Sequence, residues 1–367
     1  MNFNPTPRVL MGPGPSDAHP RVLQAMARPL IGHLDPEFVT MMDEVKEMTQ
    51  KCFLTDNHLT FVVSAPGSAG METCLVNLLE PGDECIIGIN GVFGGRMKEI
   101  ATRCGAKVHT VEVEWGKVID PKQIKEALGK CPKPKLVALV HAETSTGARQ
   151  PLKEISDLVH DAGSLLMIDA VTSFCGVPLK VDEWGIDAIY SGTQKCLSAP
   201  PGLSPVSFSA EAVKVLENRK TKVQSWFLDL SLVKNYWAGA KRAYHHTAPV
   251  SSVFAIHQAL SIVLEEGLEK RWERHQRVHL YLKEQLEALG FTYLVEEAYR
   301  LPNLNAVYLP EGTNEAALRK KLLLDYNIEV GGGLGAFAGK IWRVGIMGES
   351  ATKNHVNTLV GALKEII

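Results

Sequence analysis

Between Leu59 and Phe208 the chain alternates short apolar runs with amphipathic stretches, and no other feature restricts its fold so strongly. The runs are Leu59–Ser64, Cys85–Ile89, Lys107–Val113, Leu136–Val140, Leu165–Ala170, Ala188–Ser191 and Pro205–Phe208. They are mostly continuous rather than alternating, the pattern of strands buried on both faces. The stretches between them predict helices over Gly70–Leu79, Arg96–Cys104, Pro121–Lys130 and Leu152–Asp161. Asp120-Pro121 supplies an N-cap followed by proline at the first helical position. Strand and helix in this order make an α/β fold, with a mostly parallel, seven-stranded-type sheet between helices.

The flanks differ. Met1–Ser16 is rich in Pro and Gly and reads as an extended arm. It has no apolar core of a secretory leader. A long helical pattern runs from Ser252 to Leu289, with Gly267 as a possible break. Beyond it, strands (Asn305–Leu309, Ile341–Ile346) mix with helices (Glu315–Tyr326, Asn354–Ile367), as in a smaller α+β domain. The expected division is an arm over 1–16, a large domain over 17–260 and a small C-terminal domain over 261–367. A length of 367 residues allows two such domains.

In a sheet of this kind, ligands sit outside the carboxyl ends of the strands. Five polar groups fall near such positions. Ser64-Ala-Pro-Gly67-Ser68-Ala69-Gly70 joins a strand to a helix. Its small residues and the unpaired N–H groups of a helix start suit a phosphate, or else form a close-packed corner. Glu143-Thr144-Ser-Thr-Gly147 clusters hydroxyls after a strand, for a ligand or a turn. Asp169 follows four apolar residues, and a buried carboxylate needs a cation or several hydrogen bonds. Lys195 follows a strand end and precedes a Pro-Pro-Gly turn. A desolvated lysine there has a lowered pKa and forms Schiff bases readily. Arg343, in Lys340-Ile-Trp-Arg343-Val-Gly345, is either a fork for a carboxylate or one half of an ion pair.

Taken together, these groups are what pyridoxal 5′-phosphate (PLP) chemistry requires. It needs an amine for the aldehyde, a carboxylate for the ring nitrogen, a phosphate cup and a carboxylate clamp.

The combination resembles a family, the class V aminotransferases of PLP fold type I, in the alanine–glyoxylate / serine–pyruvate branch. The resemblance runs from Met11-Gly-Pro-Gly-Pro15 to Arg343-Val-Gly345. It is carried most specifically by Ser191-Gly-Thr-Gln-Lys195, Glu143-Thr-Ser-Thr-Gly147, Asp169-Ala-Val-Thr-Ser173 and Tyr244-His-His-Thr247-Ala-Pro249. It implies that Lys195 is the Schiff-base lysine and that Asp169 pairs with the ring nitrogen. Phe93 would stack on the ring. Gly67, Ser68, Ala69 and Gln194 would hold the phosphate, and Thr144 would lie near the ring hydroxyl. Tyr244 and Thr247 would reach the phosphate of a neighbouring subunit, so a homodimer with shared sites is implied. Arg343 would bind the substrate carboxylate, with Gly14 and His33 nearby. The implied reaction passes an amino group from alanine or serine to glyoxylate or pyruvate.

Other chemistries fit less well. Gly331-Gly-Gly-Leu-Gly335 lacks the spacing of a phosphate-binding P-loop, and its glycines are expected to shape a loop near Arg343. His245 and His246, read as strand neighbours, would face opposite ways. His275 and His279 lie among Arg and Glu and read as a solvated helix face. No metal is expected. A net charge of −2 gives no field for nucleic acid, and no apolar run is long enough for a transmembrane helix. Seven cysteines without a C-x-x-C spacing point to reduced thiols and a cytoplasmic location. Desulfuration resembles a chemistry needing a late, mobile Cys, and no Cys follows Cys196. The close alternative is (S)-ureidoglycine–glyoxylate transamination, suggested by Gly32-His33-Leu-Asp-Pro-Glu-Phe38 and the segment around Arg343. His33, where that branch carries Gln, favours alanine or serine.

Overall fold

The computed structural model describes residues 4–131, 133–237 and 242–367. Its centre is a seven-stranded sheet. In chain order the strands are β1 (Leu59–Val63), β2 (Glu84–Ile89), β3 (Lys107–Glu112), β4 (Leu136–Val140), β5 (Leu165–Asp169), β6 (Ala188–Tyr190) and β7 (Ser204–Phe208). Their order in space is β1-β7-β6-β5-β4-β2-β3. All pairings are parallel except those of β7, which runs antiparallel to β1 and β6. Every residue of β4, β5 and β6 is buried, as the continuous apolar runs require.

Two helices matter most for the site. Helix α1 (Gly67–Leu78) follows β1, and helix α2 (Val92–Arg103) follows β2. Helix α2 begins four residues before the sequence pattern indicated, which brings Phe93 into its first turn. The helix over Pro121–Lys130 starts on Asp120 as expected, with Gln123 completing a capping box. Helices over Pro20–Met26 and Pro36–Phe53, unforeseen from the pattern, cover the large core.

The predicted long helix is two helices, α3 (Val250–Glu266) and α4 (Leu268–Ala288). They meet at Gly267, whose φ of +85° suits glycine. The large apolar core includes Val263 of α3. A separate core gathers Val278, Leu282 and Leu286 of α4 with Trp342, Val344 and Leu359. It lies beside a four-stranded sheet that includes Leu304–Tyr308 and Ile341–Gly345. The arm joins this region: Val9–Leu10 pairs in parallel with Ile328–Glu329.

The solvated-face reading of His275 and His279 is overturned. Both are buried, at 0 % and 4 % exposure. They share the face of α4 that carries Arg271, Val278, Leu282 and Leu286. The Arg and Glu neighbours that suggested solvent mostly lie elsewhere on the helix. His275 Nδ1 donates to Arg271 O, its Nε2 accepts from Gly348 N–H at 2.9 Å, and burial pushes it down to about 3. His245 and His246 are also not strand neighbours. Their rings meet, with Nδ1 atoms 2.8 Å apart.

Helix α1 lies unusually close to the sheet at Gly70. A Cβ there would come within 3.1 Å of both Ser204 Cβ and Tyr190 Cβ. Gly70→Val should therefore cost about 1–3 kcal/mol by overpacking. Urea denaturation would report it as a lowered midpoint, whereas an unchanged midpoint would contradict this close contact.

Candidate active site

The site forms where β5, β6 and their following loops end. Asp169 is the last residue of β5 and is 2 % exposed. Its Oδ1 accepts from Val171 N–H at 2.8 Å, and its Oδ2 accepts from the Tyr190 hydroxyl. Burial pushes its carboxyl up to about 6, against the lowering effect of these donors and of Lys195 and Arg96. Tyr190 ends β6, next to the Ser191-Gly-Thr-Gln-Lys195 segment, yet its role as a donor to Asp169 was not anticipated.

Lys195 is buried, and burial lowers its pKa to about 8, helped by the charge of Arg343. Its Nζ donates to Pro13 O. The arm is fastened beside it, because Ser16 Oγ donates to Lys195 O at 2.7 Å and Ser16 N–H to Gln194 O at 2.9 Å. Gly14 lies against the lysine side chain. A Cβ there would stand 2.8 Å from Lys195 Cδ, and its φ of +112° also requires glycine.

Helix α1 offers its N-terminus to this region. Its N-cap, Pro66, makes no side-chain cap. The amides of Gly67, Ser68 and Ala69 open the helix, with Ala69 N–H donating to Pro66 O at 2.7 Å. A Cβ on Gly67 would lie 3.7 Å from Gly192 Cα, and one on Gly192 would lie 2.8 Å from Gln194 Oε1. The Gln194 amide is thus close to the start of α1, and its Oε1 is buried with no partner among the described residues. The helix-start amides of Gly67 and Ser68 and a glycine cradle suit a phosphate, toward which the Gln194 side-chain NH2, not its Oε1, can donate. Ser68 Oγ accepts from Arg96 Nη1 at 3.1 Å, and the Arg96 guanidinium stands 4.9 Å from the centre of the Phe93 ring. Arg96 is therefore a cation of the site that the sequence reading missed. Its position one turn after Phe93 is the signal that could have found it.

Thr144 Oγ1 lies 2.5 Å from Thr172 Oγ1, which joins two hydroxyl-bearing turns. Arg343 is buried in the strand Ile341–Gly345, and the glycines expected to form a loop near it instead begin as a short strand, Gly331–Gly332, paired with it. Its Nε donates to Gly332 O at 2.8 Å and its Nη1 to Thr144 O at 3.2 Å. Among the described residues it has no carboxylate within ion-pair distance, so it is not half of a structural pair. Burial lowers it to about 10, and Glu143 only partly offsets this.

His33, Tyr244 and Thr247 form a second group. The His33 and Tyr244 rings are 5.4 Å apart, and Tyr244 OH is 3.4 Å from Thr247 Oγ1. Tyr244 is 63 % exposed. No hydrogen bond among the described residues ties these three side chains to Lys195 or Asp169. Glu84, His109 and Cys131 are the one trio with metal-like spacing among the described residues. They lie at the β2–β3 edge, where Glu84 already meets Lys107.

An amine able to lose its proton near neutrality, a buried carboxylate and an anion cradle suit an aldehyde cofactor bearing a phosphate and a basic ring nitrogen. Comparison with known proteins points the same way. The Aminotransferase class-V family model matches residues 9–346. An alanine–glyoxylate aminotransferase of Oryctolagus cuniculus is 42 % identical, covering 98 % of this chain and 92 % of its own length. The (S)-ureidoglycine–glyoxylate transaminase of Bacillus subtilis (strain 168) is 37 % identical, covering 98 % and 90 %. The crystal structure of alanine–glyoxylate aminotransferase from Nostoc sp. superposes with a TM-score of 0.97 at 46 % identity, covering 100 % of this chain and 97 % of that one. The chain belongs to the class V aminotransferases, enzymes of PLP fold type I.

Proposed function

We propose that the enzyme transfers an amino group from alanine or serine to glyoxylate or pyruvate. The observation that carries the substrate class is Arg343, a buried guanidinium with unused donors and, among the described residues, no carboxylate partner. An unpaired buried charge is costly, and the carboxylate of an amino acid or 2-oxo acid would complete it.

When bound, PLP supplies an electrophilic aldehyde and a ring that withdraws electrons from substrate Cα. The residues of the chain would do the rest. Lys195 would provide the amine and move the proton at substrate Cα. Asp169 would hold a proton on the ring nitrogen, and that cation would in turn lower the raised carboxyl. Gly67, Ser68, Ala69 and Gln194 would hold the phosphate, with Phe93 on the ring face and Thr144 at the ring hydroxyl. Gly14 would leave room for substrate beside Lys195. The division proposed is an arm over 1–16, a large domain over 17–260 and a small one over 261–367, supported by the two larger apolar cores, with a third small cluster joining residues of both domains.

The working unit is proposed to be a homodimer, in which Tyr244 and Thr247 reach the phosphate of a second copy and His33 approaches its substrate. Support comes from the exposed aromatic side chains Trp226, Phe227 and Tyr244, the first two packed against His245, the chain neighbour of Tyr244. A cytoplasmic location is proposed from seven buried, unpaired thiols. The described residues contain no helix long and apolar enough to cross a membrane.

The second reading, ureidoglycine as donor, is favoured by the 37 % identical Bacillus subtilis relative. A donor panel of alanine, serine and ureidoglycine, first with glyoxylate and then with pyruvate, separates the two. Alanine or serine should give the highest kcat/KM. A dominant ureidoglycine activity would replace the first reading. Arg343→Ala should raise KM for carboxylate substrates about 100-fold, the cost of losing a buried charge-assisted pair. Its PLP affinity should stay near that of the wild type. An unchanged KM would remove Arg343 from substrate binding.

The Lys195 pKa also makes a prediction. Only the neutral amine attacks an aldehyde, and the folded value of about 8 lies below the ordinary value of 10.5. Capture of PLP by the cofactor-free enzyme should therefore accelerate with rising pH, with a midpoint near 8. A midpoint near 10.5 would contradict the site described. Stability has the same sign: folding expels a proton between pH 8 and 10.5, so the lysine's contribution improves as pH rises through that window.

A further inference from the structure

Glu143 takes no part in the reaction proposed above, although it is fully buried beside the groups that do. Its surroundings explain why a carboxylate is kept there. Helix α2 follows Gly91, which has no side chain to cap it. Two of its first N–H groups find acceptors far away in sequence. Val92 N–H donates to Ser145 Oγ at 3.1 Å, and Phe93 N–H donates to Glu143 Oε2 at 3.2 Å. Ser145 in turn donates its hydroxyl to Glu143 Oε1 at 2.5 Å and its N–H to the same oxygen at 3.0 Å. The helix is therefore capped from across the site by a Glu–Ser pair on another loop.

The approach depends on Gly91. Its φ of 173° is ordinary extended backbone, so the requirement is space. A Cβ there would overlap Glu143 and Ser145 Oγ. Between the capping residues, Thr144 O accepts from Arg343 Nη1. One short turn thus touches both the start of α2 and the buried guanidinium of the small sheet.

We infer that Glu143 is a positioning residue for the cofactor ring: with Ser145 it caps α2 from across the site and fixes the height of the Phe93 side chain over the ring. This rests on the proposed role of Phe93. Phe93 sits in the first turn of α2, so the amides that Glu143 and Ser145 hold are those of Phe93 itself and of its preceding residue. Losing the cap would let that turn fray and release the ring. Near-neutral Glu143, raised to about 7 by burial and by Asp169, also places partial negative charge at the positive end of α2.

The test uses the full-length enzyme loaded with PLP. Visible circular dichroism of the bound cofactor and its release rate are measured in the wild type, Glu143→Ala, Phe93→Ala and the double variant. Glu143→Ala should lose at least half of the dichroic signal and release PLP about fivefold faster. The double variant should be no worse than Phe93→Ala alone, because both changes remove the same contact. Should Glu143→Ala fail to fold, Ser145→Ala frees the Val92 N–H with Glu143 in place and should shift both readouts in the same direction. Wild-type dichroism and release in the folded variant would overturn the inference. So would losses that multiply in the double variant, since Glu143 would then act independently of Phe93. A wild type with no cofactor dichroism would instead refute the PLP reading.

Discussion

The site depends on keeping Asp169, Lys195 and Arg343 out of water with none of them paired, among the described residues, to a fixed counterion. Charges in a protein interior are tolerated when hydrogen bonds or opposite charges complete them. Here the completion is partial. Asp169 has Tyr190 and Val171 as donors, Lys195 has Pro13 O as an acceptor, and Arg343 has two carbonyls. Each retains capacity for one more partner. The stability lost in this way is what a ring nitrogen, an aldehyde and a substrate carboxylate can recover on binding.

The fold supplies the rigid parts of this arrangement. Fully buried parallel strands place Asp169 and Tyr190 side by side at their carboxyl ends. The antiparallel β7 returns next to β6, and Gly70 lets α1 lie close to both. The arm crosses from the small sheet to Lys195: Val9–Leu10 pairs with Ile328–Glu329, and Gly345 N–H donates to Met11 O at 2.8 Å. Arg343, two residues before Gly345, is thereby mechanically linked to the backbone beside Lys195. A shift of the small sheet would move Arg343 and the arm together.

Much of this was legible in the sequence because the signals are local. Continuous apolar runs identify doubly buried strands, Asp120-Pro121 marks a helix start, and Gly267 marks a break. The Lys195 and Asp169 positions stand out because charged residues rarely follow apolar runs without cause. What could not be read was set by contacts between distant segments. The start of α2 moved four residues earlier because its cap comes from Glu143 and Ser145 rather than from its own sequence. His275 and His279 were misread because local composition suggested solvent, whereas the small core covers that face of α4. Arg96 and Tyr190 carry no motif; only the folded chain brings Arg96 to Ser68 and Tyr190 to Asp169.

The central claim is that the Lys195 amine is the one that engages PLP. Borohydride reduction of the PLP-loaded enzyme, followed by mass spectrometry of its peptides, tests it directly. The account predicts loss of the visible absorbance and a phosphopyridoxyl group on the peptide carrying Lys195. A label on another lysine, or no label on an enzyme that had shown the absorbance, would contradict it.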